Sequence, residues 1–257
     1  MSVAVGVERS GHIAVVTINR PEARNAINPE VARGLAGAFT EIERDPDIWI
    51  SILTGAGDIA FCAGADLKAV AAGLVDQLSV APGGFGGFVQ FPREKPVIAA
   101  VNGIAVAGGC ELVLASDLTV ATEHATFGLP EVTRGIIAAA GGVFRLPLRI
   151  PHAIAIELIL TGDQISASEA LQWGLINRVV PAGSSLGAAE DLAMRICRNG
   201  PLAVRESLAV ARKARDLTEA TAWDVMLAAR RRVFATNDAT EGPLAFIEKR
   251  DPVWTAT

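Results

Sequence analysis

Short runs that are apolar at every position alternate along this chain with stretches in which apolar residues recur every three or four positions. Residues 13–18, IAVVTI, lie between Gly11 and Pro21 and predict a buried strand. Asn28-Pro29-Glu30 opens a helix: the Asn side chain caps, Pro fits the first helical position and the acid faces the helix dipole. Val31, Leu35, Ala38, Phe39 and Ile42 then share one face to about Arg44. IWISIL (48–53), VIAAV (97–101), LTVA (118–121) and INRVV (176–180) predict further strands, with Asn102-Gly103 as a turn after 97–101. Ser166 to Glu169 spells a capping box, and Gly174 stops the helix it begins. Strands and helices in alternation, with strands apolar throughout, predict an α/β fold.

From about residue 188 the pattern reads as helical to the end. Pro201 opens one helix, residues 218–235 carry Trp223, Met226, Leu227 and Arg230 at helical spacing, and Asp238 to Glu241 resembles a capping pattern for a third. The expected organisation is a core over 1–188 and a helical region over 189–257. Residues 72–88, ending in PGGFGGF, follow neither period. They read as a mobile loop or, in a sharper reading, as a flap over a ligand; no phosphate-binding glycine motif is present.

Composition narrows the function classes. A chain of 257 residues, 51% hydrophobic, supports a substantial core in one large domain, or in one domain with a small appendage. Net charge is −5 with no basic stripe, which argues against nucleic acid and leaves room for a small anionic ligand where a few cations cluster. Cys62, Cys110 and Cys197 are odd in number and without C-x-x-C spacing, and His12, His124 and His152 are scattered. No disulfide framework, zinc site or metal cluster is expected, and the compartment reads as reducing. No secretory signal is expected at the N-terminus, and the uncharged apolar stretch 96–110 falls short of the ~20 residues of a membrane span. A soluble, cytoplasmic protein is expected.

Three segments carry candidate chemistry. In FCAGADLK (61–68), the small residues Ala63, Gly64 and Ala65 allow a ligand close to the backbone, where an N–H can meet an oxygen. In AGGCE (107–111), a helix starting at Gly108–Gly109 offers free N–H groups at its positive end, with Glu111 in its first turn. Two such donors on one carbonyl make an oxyanion hole. FGLPE (127–131) sets Glu131 after a stiffening Pro130, with room for one helix and one strand between the two acids. Taken singly, Glu111 also reads as an acid placed for the helix dipole, Glu131 as an ordinary loop acid, and Cys62 and Cys110 as small buried residues.

FCAGADLK, KPVIAAVNGIAVAGGCELVLASD and ATFGLPE, in this order and spacing, resemble the crotonase superfamily, specifically the enoyl-CoA hydratases. The similarity extends from NRPEARNAI to EGPLAFIEKRDP. The resemblance implies a crotonase (ClpP-like) spiral of ββα repeats with a C-terminal helical trimerisation region, assembled as a homotrimer or as a hexamer built from two trimers. It implies an oxyanion hole from the N–H groups of Ala65 and Gly108, and Glu111 and Glu131 as catalytic acids. Ala63, Asp66, Leu67 and Lys68 lie at the implied coenzyme A and acyl entrance, Arg24 at the coenzyme A phosphates, and Phe246 and Lys249 where a neighbouring subunit meets the nucleotide. No permanently bound cofactor is implied; coenzyme A enters as part of an acyl-CoA substrate. The implied reaction is hydration of a 2-enoyl-CoA, with Glu111 as base toward water and Glu131 as acid toward the α carbon.

The chain departs from the family at Ala139, in AAAGG (138–142), where many hydratases have glycine; this predicts an effect on water placement. The tail DATEGPLAFIEKRDPVW and PGGFGGF also resemble the crotonobetainyl-CoA hydratase (carnitinyl-CoA dehydratase) branch. A trimethylammonium group favours an acid or an aromatic cage, and the expected acyl region offers Phe85, Phe88 and Asp76 and no Tyr. The general hydratase is the main expectation and the carnitine-type enzyme the second. An isomerase of this fold and a non-catalytic acyl-CoA binder complete the alternatives; retention of both glutamates argues against each.

Overall fold

The computed structural model describes residues 4–257. The chain begins with β1 (Val5–Ser10), β2 (Ile13–Ile18), α1 (Pro29–Arg44), β3 (Ile50–Gly55), β4 (Ala60–Cys62) and α2 (Leu67–Ala71). A small hairpin of β5 (Ser79–Val80) and β6 (Gly84–Phe85) precedes β7 (Val97–Val101), β8 (Ile104–Val106), α3 (Gly108–Ala115), β9 (Leu118–Thr122) and β10 (Thr126–Gly128). Then come α4 (Gly142–Arg149), α5 (His152–Thr161), β11 (Gln164–Ser166), α6 (Ala167–Gln172), β12 (Arg178–Val180) and α7 (Ser185–Cys197). The chain closes with α8 (Pro201–Lys213), α9 (Glu219–Phe234) and α10 (Asp238–Glu248).

Two sheets organise the core. The larger runs β1-β2-β3-β7-β9-β12 and is parallel except for the β1–β2 hairpin. The smaller runs β11-β10-β8-β4, with β10, β8 and β4 parallel. The strands β3, β7 and β9 each hand over to a neighbour in the smaller sheet, β4, β8 and β10, and a helix follows each pair. This is the ββα spiral of the crotonase fold.

Burial on both faces explains the unbroken apolar strands. On β7, Val97, Ala99 and Val101 face the core shared with α1 and the smaller sheet. Ile98 and Ala100 face outward, where Ala189 and Ala193 of α7 cover them. Small residues on α7 let the helix lie close to the sheet. Residue 188 therefore falls inside a helix that packs on β3, β7 and β9. Strand β3 starts later than expected, because buried Ile48 and Trp49 precede the ladder, and β12 is confined to its last three residues. The Asn28 cap, accepting the Val31 N–H at 2.9 Å, and the Ser166–Glu169 capping box are both formed. The expected cap at Asp238 is not: its carboxylate instead accepts the N–H groups of Thr255 and Ala256 and ties down the C-terminal tail.

Residues 72–88 are not irregular. A 3-10 turn (Val75–Leu78) leads into the β5–β6 hairpin, and Leu78 and Phe88 are buried. Helix α8 is clasped to the core by Asp117, whose carboxylate accepts from Arg212 Nε at 2.9 Å, Arg212 Nη2 at 2.7 Å and the Val97 N–H at 2.8 Å. Among the described residues no helix is long and apolar enough to cross a membrane.

Candidate active site

The smaller sheet places the site. β4, β8 and β10 run parallel side by side, so the segments leaving their C-terminal ends emerge together. Those segments are Ala63 to Asp66, Ala107–Gly108 and Leu129 to Glu131. Neighbouring strands lie ~4.8 Å apart, so three stretches distant in sequence become adjacent.

The first two segments touch. A methyl group added to Gly64 would stand 3.0 Å from the Gly108 nitrogen and 2.8 Å from Ala107 Cβ. Ile27 brackets Ala65, donating its N–H to the Gly64 carbonyl (2.8 Å) and accepting from Asp66 (2.9 Å). Ala107 holds φ +53°, ψ −131°, costly for a residue with a Cβ, and its N–H is tied to the Gly128 carbonyl at 2.9 Å. Gly108 follows as the first residue of α3. Among the described residues, neither the Ala65 N–H nor the Gly108 N–H has an acceptor within the chain. Asn25 and Asn102 hold the turn that feeds β4 by donating to the Ala60 carbonyl (2.7 Å) and the Gly55 carbonyl (2.9 Å).

The two acids are both buried, Glu111 at 3% exposed and Glu131 at 7%. Between them lie the rest of α3 and two strands, β9 and β10; the second is too short to show in the sequence pattern. Burial pushes Glu111 up to about 7, against the pull of the Gly142 amide, which donates to Oε1 at 2.8 Å; the neighbouring charge of Glu131 adds to the rise. Burial also raises Glu131 above the usual carboxylate range. Its Oε2 is buried with no hydrogen-bond partner. A carboxyl raised as far as Glu111 is partly protonated near neutrality. Gly142, which orients Glu111, has no signal in the sequence, because a backbone donor carries none. Ala139 is not among the residues with positive φ, so this position makes no demand for glycine geometry.

The structure places the other expected residues in two groups. Arg24 accepts the Ala63 N–H on its carbonyl (3.1 Å), which fixes its exposed side chain beside the 63–66 loop. Leu67 and Lys68 are exposed on the first turn of α2. Asp66 is otherwise engaged: it caps α2 through the Lys68 N–H (2.9 Å) and pairs with Arg20 (2.9 Å). Partial burial opposes it, but Arg20 and the Lys68 amide hold Asp66 below the usual carboxylate range. Arg20, which sequence reasoning missed, is thus the residue that orders this loop. Phe246 and Lys249 lie on and just after α10, which packs on α9 in the C-terminal region; both are exposed. Phe88, expected in the acyl region, is instead fully buried in the core against Phe39, with ring centroids 4.6 Å apart. Asp76 is exposed on its 3-10 turn. Cys62 and Cys110 are buried, and burial pushes both thiols up to about 12, which makes them poor nucleophiles.

Two acceptor-free amides on touching segments, with two buried carboxyls on α3 and after β10, make up the candidate site. The sequence profile of the enoyl-CoA hydratase/isomerase family matches residues 8–257. The chain belongs to that family. A protein named carnitinyl-CoA dehydratase from Salmonella arizonae is 42% identical, over 99% of both chains. The crystal structure of an enoyl-CoA hydratase from Mycobacterium tuberculosis superposes with a TM-score of 0.95 at 46% identity, covering 100% of both chains. That of a carnitinyl-CoA hydratase from Mycobacterium avium gives 0.78 at 47% identity, again over 100% of both. The family match, together with relatives named hydratase and dehydratase, supports an enzyme of the hydro-lyase type.

Proposed function

We propose that the protein adds water across the 2,3 double bond of a 2-enoyl-CoA thioester to give the 3-hydroxyacyl-CoA. One observation carries this reading: two buried glutamates stand beside two backbone amides that have no acceptor of their own.

In this reading the thioester carbonyl accepts from Ala65 and Gly108, and the β carbon becomes electrophilic. Charge that develops on the oxygen meets fixed donors that need no reorganisation, each worth ~2.7–4 kcal/mol in the barrier. Glu111 takes a proton from water as its oxygen bonds to the β carbon. The π electrons shift toward the carbonyl, and Glu131 delivers a proton to the α carbon. Exchange with solvent then returns a proton to Glu131 and removes one from Glu111. The hydrogen bonds support this division of labour. Glu111 is held by an amide donor, which favours the ionised form, whereas Glu131 Oε2 is unpartnered, which favours a proton aimed at a ligand.

Arg24 and Lys68 flank the loop at the mouth and supply cations for coenzyme A phosphates on a chain of net charge −5. Ala63 and Leu67 line the entrance. Asp66 acts by ordering this loop. Phe246 and Lys249 reach a nucleotide from a neighbouring subunit in a homotrimer or a hexamer. Exposed Trp223, Met226, Phe234, Phe246 and Ile247 on α9 and α10 support such burial between subunits. The free cysteines suit a cytoplasmic setting.

The carnitine-type substrate is the second reading, favoured by the relative named carnitinyl-CoA dehydratase. Loss of enoyl-thioester absorbance, followed with crotonyl-CoA and with crotonobetainyl-CoA, separates the two. Faster turnover of crotonyl-CoA supports the general hydratase, and turnover of crotonobetainyl-CoA alone replaces it with the second reading. Silence on both, with thioesters still bound, overturns hydration.

A further inference from the structure

PGGFGGF finds no role in the chemistry above, yet it reaches the site. A methyl group added to Gly108 would stand 2.3 Å from Cε1 and 2.5 Å from Cζ of Phe85. The Phe85 ring therefore lies directly on the first residue of α3, whose N–H is one of the two free donors. The glycines around it make this placement rigid. A methyl on Gly83 would fall 2.0 Å from the Gly87 carbonyl oxygen, and one on Gly87 would fall 2.3 Å from the Ala32 carbonyl oxygen of α1. Gly86 faces Leu112 of α3. The Gly86 N–H donates to Leu78 (2.8 Å), and that of Gln90 to Gly83 (2.8 Å). The hairpin is thus wedged between α1 and α3, with Phe88 anchored in the core and Phe85 left half-buried.

We infer that Phe85 is the residue that selects the acyl group, and that the glycine-rich hairpin is the pedestal that fixes it; this rests on the enoyl-CoA reading of the site. A carbonyl oxygen bound to the Gly108 N–H sits ~2.9 Å from that nitrogen, so the acyl carbons next to it run alongside the ring. The ring offers a flat apolar wall to a short planar enoyl group and occupies space that a longer chain needs. Removal of the ring shifts preference toward longer acyl groups and leaves recognition of the coenzyme A portion unchanged.

The test measures affinities of butyryl-, hexanoyl- and decanoyl-CoA, and of free coenzyme A, by calorimetry for wild type, Phe85→Leu and Phe85→Ala. These saturated thioesters are not hydrated, so the readout is independent of turnover. The ratio of decanoyl- to butyryl-CoA affinity is expected to rise by at least about tenfold in Phe85→Ala, with Phe85→Leu intermediate and free coenzyme A unchanged. A ratio within about twofold of wild type in both variants, or an equal loss for all four ligands, overturns the assignment. The same proteins assayed on the matching 2-enoyl thioesters report on hydration separately: a shifted binding ratio without wild-type turnover defeats the hydratase reading and leaves the role of Phe85 in place.

Discussion

Oε1 of Glu111 accepts the backbone N–H of Gly142 at 2.8 Å, joining the first turn of α3 to the first residue of α4. This bond opposes the burial that keeps the carboxyl near neutrality, and it fixes the direction in which the other oxygen faces. Gly142 leaves a side chain space only if its neighbours shift: a methyl there would stand 2.9 Å from the Leu129 methyls and 3.0 Å from Glu111 Oε1. Gly142→Ala displaces the carboxylate. The expected result is a fall of about 10–100-fold in kcat with KM nearly unchanged, read by steady-state kinetics on crotonyl-CoA.

The ionisation of Glu111 couples stability to pH with a definite sign. Its folded value of about 7 exceeds the ordinary 4.5, so between these values the folded chain holds a proton that the unfolded chain has lost. Stability from this group falls as pH rises through that window and stays lower above it. Glu111→Gln never carries the charge. Urea denaturation is expected to find the variant more stable than wild type by ~1–3 kcal/mol at about pH 8, with the advantage gone near pH 4. An identical difference at both pH values contradicts this. The same ionisation makes kcat/KM climb with pH up to about 7.

Contact between the 62–66 loop and α3 is what brings the two donors together. Gly64 has φ +90° and no space for a Cβ. Gly64→Ala is expected to part the two segments and lower kcat by about 10²–10³-fold, the scale of one lost oxyanion donor, while a coenzyme A thioester still binds. Calorimetric binding beside the rate assay distinguishes this from loss of the fold.

The elements legible in the sequence are those with long periods or distinctive ends. Strand β7 matches its predicted range, and α1 follows its Asn28-Pro29 start. The strands β4, β8 and β10, three residues each, went unread because three residues cannot display an alternation. They are nonetheless the strands that assemble the site. Strand β1 was hidden by its exposed, polar Glu8 to Ser10. Among the candidate site residues, both glutamates and the two proposed donor segments were visible in motif order. The Gly142 amide, the Arg20–Asp66 pair and the seat of Phe85 on Gly108 were not, since each depends on contacts between distant parts of the chain.

The clasp at Asp117 is expected to govern stability rather than turnover. Asp117→Ala leaves Arg212 without its bidentate partner and removes the acceptor of the Val97 N–H. Because Arg212 is partly exposed, the expected cost is about 2–3 kcal/mol in urea denaturation, below that of a fully buried pair. KM and kcat of the folded fraction are expected to stay at wild-type values.

In the proposed reaction both buried glutamates act on one thioester. Its most direct test is the hydration of crotonyl-CoA by wild type, Glu111→Gln and Glu131→Gln, each checked for retained crotonyl-CoA binding. Turnover by the wild type and a loss of about 10²–10⁴-fold in kcat for each variant, with binding preserved, are expected. Near-wild-type turnover by either variant would contradict that reaction.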